Sequence, residues 1–199
     1  GPREIRDAAF VERSAIYREV LAEAAERGVR WQRARPGERL EIDGVEVEFL
    51  APDSAWTASL RDPNEASTVV RVRYGSVRML FTGDAERGEE SWLLSHARES
   101  LAADVLKVGH HGSSTSSTPE FLAAVAPRLA LVSVGASNVY GHPSADVMRR
   151  LVDAGARLTV MDRVPVARND ADFVELDLAD PASIDDAVAA IRTPVDALF

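Results

Sequence analysis

Apolar and polar positions alternate with two different periods along this chain. Residues 13–27, RSAIYREVLAEAAER, place Ile16, Val20, Leu21 and Ala24 at helical spacing, and Gly28 closes that helix. RLEIDGVEVEFLAP then reads as two alternating runs around Asp43-Gly44, a strong hairpin signal. A second hairpin follows in TVVRVRYGSVRMLFTGD, where Val70, Val72 and Tyr74 alternate and a strand through Leu80 and Phe81 stops at Gly83-Asp84.

After that the pattern becomes strand and helix in turn. A helix is expected over 86–101, a strand over 104–109, a helix over 119–125, a strand over 129–134, a helix over 144–154 and a strand over 157–162. Thr118-Pro119-Glu120 supplies a cap, a proline at the first helical position and an acid in the first turn. The tail repeats the rhythm: strand 172–177, helix 181–191 opened by Asp180-Pro181, and strand 194–199. Segments 51–66 and 163–171 lack a period and are expected to be flexible. Hairpins followed by strand–helix alternation predict an α/β layered architecture with helices covering sheet faces.

Composition narrows the chemistry. The chain of 199 residues has no cysteine, which excludes disulfides, thiolate metal ligands and a cysteine nucleophile. No apolar run reaches the roughly 18 residues of a membrane helix, and no signal peptide is visible. Net charge is −9, a poor sign for gripping phosphates broadly. The charge is uneven: residues 164–199 hold 8 acids and 2 bases, net −6, which leaves −3 for the rest.

Ligand sites in layered α/β proteins gather beyond the carboxyl ends of strands. Three polar groups stand where a strand is expected to stop: Asp84 after VRMLFTG, His110-His111 after ADVLKVG, and Asn138 to His142 after LALVSVG. Each has a glycine beside it, which lets backbone approach a ligand closely. Aspartate can bridge two divalent cations and neutral imidazole is a standard zinc ligand. The hydroxyls from Ser113 to Thr118 can orient ligands or bind phosphate. His96, inside a helix, reads as structural or exposed.

LFTGDAERGEESWLL followed by LAADVLKVGHHGSSTSSTPEFLAAVAPRLALVSVGASNVYGHPSADVMRRL resembles the metallo-β-lactamase-fold domain of the DNA-uptake competence family ComEC, over about residues 10–155. The resemblance implies an αββα sandwich and a metal-dependent hydrolase, a phosphodiesterase or nuclease acting on nucleic acid with zinc or manganese. It implies Asp84 and His110 as metal ligands and His111 and His142 as catalytic groups. Ser113, Ser114 and Asn138 would contact substrate phosphate. In that family the domain is attached to a membrane channel, so the compartment of this chain stays open.

The H-x-H-x-D-H motif that supplies most metal ligands in the fold does not occur in this sequence. The resemblance is therefore to the C-terminal half of the domain, residues 1–160, with an incomplete metal site. GARLTVMDRVPVARNDADFVELDLADPASIDDAVAAIRTPVDALF resembles instead a short-chain dehydrogenase/reductase, implying a Rossmann-like β-α-β extension over 161–199. There Asp162 would be the acid facing an adenosine ribose and Asp177-Leu178 the adenine-side pair. The glycine-rich loop and the Tyr-x-x-x-Lys pair are absent, so no dinucleotide cofactor is expected. The alternative to a hydrolase is a non-catalytic fragment or chimera acting through self-association or a partner.

Overall fold

The first hairpin closes as its sequence demands. Asp43 and Gly44 take positive φ of 49° and 83° between β3 (Arg39–Ile42) and β4 (Val45–Ala51), the left-handed pair of a tight turn. This is a computed structural model that describes residues 1–10, 15–135, 138–162, 172–175 and 180–190.

β4 runs antiparallel to β5 (Val69–Tyr74), and β5 antiparallel to β6 (Val77–Phe81). From β6 onward every pairing is parallel, through β7 (Val105–Lys107), β8 (Leu129–Leu131), β9 (Arg157–Asp162) and β10 (Asp172–Glu175). The result is one mixed sheet in the order β10-β9-β8-β7-β6-β5-β4-β3, with a separate parallel pair of β1 (Glu4–Asp7) and β2 (Arg30–Arg33). Parallel strands need crossovers, and the sequence supplies helices: α1 (Ala15–Glu26) between β1 and β2, α3 (Arg87–His96) after β6, α4 (Pro119–Val125) after β7 and α5 (Ala145–Asp153) after β8, while α6 (Pro181–Ala190) follows β10.

Register decides where the site lies. Lys107 of β7 pairs with Phe81 of β6 on one side and Leu131 of β8 on the other, so the three strands finish level. The loops bearing Asp84, the histidine pair and His142 therefore leave the sheet from one edge. Beneath them the core joins Leu80 and Leu106 of the sheet to Leu93 of α3, Phe121 and Leu122 of α4, and Val147 and Leu151 of α5, all buried. Each such side chain contributes about 1.5–3 kcal/mol by leaving water.

Segment 51–66 is ordered, contrary to expectation. Asp53 accepts hydrogen bonds from Ala55 N and Trp56 N and starts α2 (Ser54–Ser59), and a 3₁₀ turn follows over Pro63–Ala66. Trp56 donates its indole N–H to Glu65 O at 2.9 Å, locking the two pieces together. The helix expected over 86–101 ends at His96 and continues as a 3₁₀ turn, Arg98–Ser100. β1 and β2 had no counterpart in the periodicity. Segment 163–171, Asp177-Leu178 and strand 194–199 lie outside the described residues.

Candidate active site at the ends of β6, β7 and β8

The β6 loop folds back on its own sheet. Gly83 has φ +56°, and a side chain there would strike Ser67 Oγ at 2.9 Å. That closeness lets Asp84 N donate to Ser67 Oγ at 2.9 Å, which fixes the Asp84 backbone. Lys107, the last residue of β7, donates from Nζ to Gly83 O at 3.2 Å. Burial pushes the Lys107 ammonium down from the usual lysine range, and the nearby Asp84 charge pulls it part of the way back.

The histidine pair sits on unusual backbone. His110 and His111 have φ of 44° and 52°, a left-handed conformation that costs a non-glycine residue on the order of 1 kcal/mol or more. The neighbouring contacts hold them there. His110 N donates to Gly83 O at 3.1 Å, and Ser113 N donates to His110 O at 2.8 Å. Gly109 makes room, since a Cβ would meet Ala85 O at 2.9 Å. Gly112, at φ +79°, lies under Pro143, whose Cβ would be 2.6 Å from an added methyl. Ser144 N donates to Gly112 O at 2.9 Å, so the β7 and β8 loops are fastened to each other.

These contacts aim the rings. His111 Nδ1 lies 2.7 Å from Ser133 O, and its Nε2 lies 3.6 Å from Asp84 Oδ1. A carbonyl can only accept, so Nδ1 carries the proton in the neutral ring and the Nε2 lone pair faces the carboxylate. His110 turns elsewhere: its Nδ1 stands 2.7 Å from Glu86 Oε1, close enough for an ion pair but off the angle of a hydrogen bond. His142 completes the group, with its ring 5.7 Å from that of His110. Its Nδ1 is buried and has no hydrogen-bond partner among the described residues. Desolvation, and then the neighbouring His110 and His111, hold the His142 pKa below the ordinary histidine value, which keeps it neutral at pH 7.

The structure thus gathers Asp84, His110, His111 and His142, and places His111 beside Asp84. Asn138 acts on the loop itself: Nδ2 donates to His142 O at 2.8 Å and Oδ1 accepts from His142 N at 3.0 Å. Ser113 is buried, and its hydroxyl bonds Thr115 Oγ1 at 2.8 Å. Ser114 is exposed, and its carbonyl accepts from Arg87 at 3.2 Å and from Arg150 at 3.1 Å. His96 stacks on Trp92 with centroids 4.4 Å apart, away from the other three.

Several organising residues gave no signal in the sequence. Glu90 accepts from Ser117 N and, at 2.8 Å, from Thr118 N, while Arg150 donates to Ser116 O and Ser117 O at 2.9 Å each. A buried acid and an arginine therefore hold the amides and the carbonyls of the hydroxyl-rich loop. Glu65 accepts from Gly88 N at 3.2 Å and Glu89 N at 2.6 Å at the start of α3. Glu89 itself accepts from Ser67 N at 3.0 Å. Burial pushes its carboxyl up to about 9.

Asp84 Oδ1 and the His111 Nε2 lone pair suit a shared cation, because two electron-rich atoms held 3.6 Å apart repel unless a positive charge lies between them. The Ser133 carbonyl on Nδ1 is the support that metal-binding histidines ordinarily have. Two donors do not enclose an ion. Among the described residues, no three His, Cys, Asp or Glu side chains converge to do so.

The family profile described as the metallo-beta-lactamase superfamily matches residues 15–136, more than half of the chain. The chain is 41% identical to competence protein ComA of Neisseria gonorrhoeae over 63% of its residues and 18% of that protein. It is 33% identical to ComE operon protein 3 of Bacillus subtilis over 72% of its residues and 18% of that protein. It is 39% identical to recombination protein 2 of Haemophilus influenzae over 54% of its residues and 13% of that protein. The chain spans under a fifth of the length of these relatives. With the level strand ends and the Asp84–His111 pair in place, the match identifies the chain as a member of the metallo-β-lactamase superfamily, similar to competence proteins of the ComEC type.

Proposed function

We propose that this chain carries part of the catalytic site of a metal-dependent phosphodiesterase that cuts nucleic acid during DNA uptake. The observation that supports it best is the Asp84–His111 pair, with a carboxylate and an imidazole lone pair 3.6 Å apart and the far ring nitrogen tied to Ser133 O. The competence names of the relatives support the setting. Asp84 and His111, in place of the Asp84 and His110 expected from the sequence, would hold a divalent cation such as zinc or manganese, because His110 Nδ1 faces Glu86. Such a cation, when bound, would supply Lewis-acid polarisation of a phosphoryl oxygen. Further ligands would come from outside this sequence, which has no H-x-H-x-D-H motif.

The rest of the reading belongs to the chain's own groups. His142, kept neutral by burial, can accept a proton at neutral pH. Lys107, poised beside Asp84, supplies positive charge toward a phosphate. Asn138 sets the position of His142 through the backbone. No helix among the described residues is long and apolar enough to cross a membrane. The test is manganese-dependent cleavage of a labelled single strand by the purified chain mixed with the upstream metallo-β-lactamase segment of a relative. Cleavage by the mixture, lost with Asp84→Ala, is expected. No cleavage by a mixture that demonstrably associates would overturn the reading.

A second reading is association through a sheet edge. Among the described residues β3 ends the sheet, with no strand paired to its outer side, and it carries the apolar Ile42 at 57% exposure. Sedimentation of the wild type against Ile42→Lys tests it. A dimer that becomes monomeric supports an edge interface, and a monomer in both excludes it.

A further inference from the structure

Val139 and Tyr140 stand out in the β8 loop, 87% and 79% exposed, at the rim of the histidine cluster. Neither contributes to the core, and a large ring held in water at a loop tip has no stabilising role there. Tyr140 is nevertheless not a free rotor. Its ring lies nearly parallel to His142, 19° between planes and 6.0 Å between centroids, and His142 is in turn 5.7 Å from His110. The loop beneath is fixed at both ends. Asn138 clamps His142 by two hydrogen bonds, and Pro143 rests on Gly112.

We propose that Tyr140 is a stacking platform for a nucleobase of a single-stranded nucleic acid, adjacent to the scissile phosphate. The proposal rests on the phosphodiesterase reading and adds to it how the strand is held. An aromatic face offered to solvent beside an imidazole stack accepts the π-face of any base, without reading its hydrogen-bonding edge. In a duplex the base faces are covered by their neighbours, so this geometry selects unpaired strands. It also resolves a difficulty of charge. The whole chain carries −9, so broad phosphate attraction is weak, and stacking supplies affinity that does not depend on it. Binding is accordingly expected to depend strongly on the presence of bases.

The experiment measures binding of fluorescein-labelled oligodeoxythymidylate, and of an abasic strand of equal length, to the full chain in manganese buffer. Tyr140→Ala and Tyr140→Phe are compared with the wild type. Expected are tighter binding of the thymidylate strand than of the abasic one, a loss of roughly tenfold or more of that advantage in Tyr140→Ala, and its retention in Tyr140→Phe. Equal binding of the two strands by the wild type, or an unchanged advantage in Tyr140→Ala, would overturn the stacking role. Equal losses in Tyr140→Ala and Tyr140→Phe would also overturn it, by assigning the effect to the hydroxyl. Cleavage of the abasic strand by the reconstituted domain isolates the hydrolase reading, since that substrate has no base to stack. Its failure would leave the binding comparison intact.

Discussion

His111 stands between two oxygens, with Nδ1 2.7 Å from Ser133 O and Nε2 3.6 Å from Asp84 Oδ1. The first contact fixes which nitrogen holds the proton, and the second shows where the lone pair points. Long-range ¹H–¹⁵N correlation of the imidazoles at pH 8 is expected to find His111 protonated on Nδ1. An Nε2-protonated ring would put a proton rather than a lone pair toward Asp84, and the pair would not be a ligand edge.

Glu89 makes stability depend on pH. Its folded pKa is raised to about 9 from an unfolded value near 4.5, so between these values the folded state holds a proton that the unfolded chain has released. Stability from this group is complete below pH 4.5 and is lost as pH rises toward 9. Burial raises Glu90 as well, and it acts in the same direction. Glu89→Gln keeps the shape and cannot ionise, so urea unfolding from pH 5 to 9 should show a flatter profile. At pH 8.5 the variant should be the more stable of the two. An unchanged slope would remove Glu89 from the account.

Arg150 is expected to matter for the loop more than for the helix that carries it. Its guanidinium donates to the carbonyls of Ser114, Ser116 and Ser117. Arg150→Ala leaves those carbonyls without their donor and should destabilise by roughly 1.5–3 kcal/mol. Amide exchange should quicken at Ser116 and Ser117 before the β-sheet responds. Uniform quickening across the sheet would point instead to global destabilisation.

Gly112 joins two loops at a point where no side chain fits. Gly112→Ala combines φ of +79° with a methyl 2.6 Å from Pro143 Cβ. A loss of roughly 2–3 kcal/mol is expected, with shifted ring resonances of His110 and His142. Unchanged histidine signals would separate the two loops.

Much of the scaffold was legible because its signals are local. Asp43-Gly44 states its turn type in two residues. Thr118 caps α4 by accepting from Phe121 N at 3.4 Å, as Thr-Pro-Glu foretells. Strand ends marked Asp84, the histidine pair and His142, and level register then brought them together. Pairing within the site was not legible. His111 meets Ser133 from 22 positions away, and Glu90 meets Ser117 from 27. In a helix, Glu90 looks like any solvated acid until packing buries it. Segment 51–66 failed for another reason: six helical residues are too few to show a period, and Asp53 capping carries the helix instead.

The proposed role of Asp84 and His111 is to hold a divalent cation together. Calorimetric titration of manganese into the chain mixed with the upstream metallo-β-lactamase segment of a relative, with Asp84→Ala, His111→Ala and the double variant, reads this out. Binding is expected in the wild type, with either single change weakening it at least tenfold and the double change adding little more. Binding that survives both changes, or none in a wild-type mixture that demonstrably associates, would contradict it.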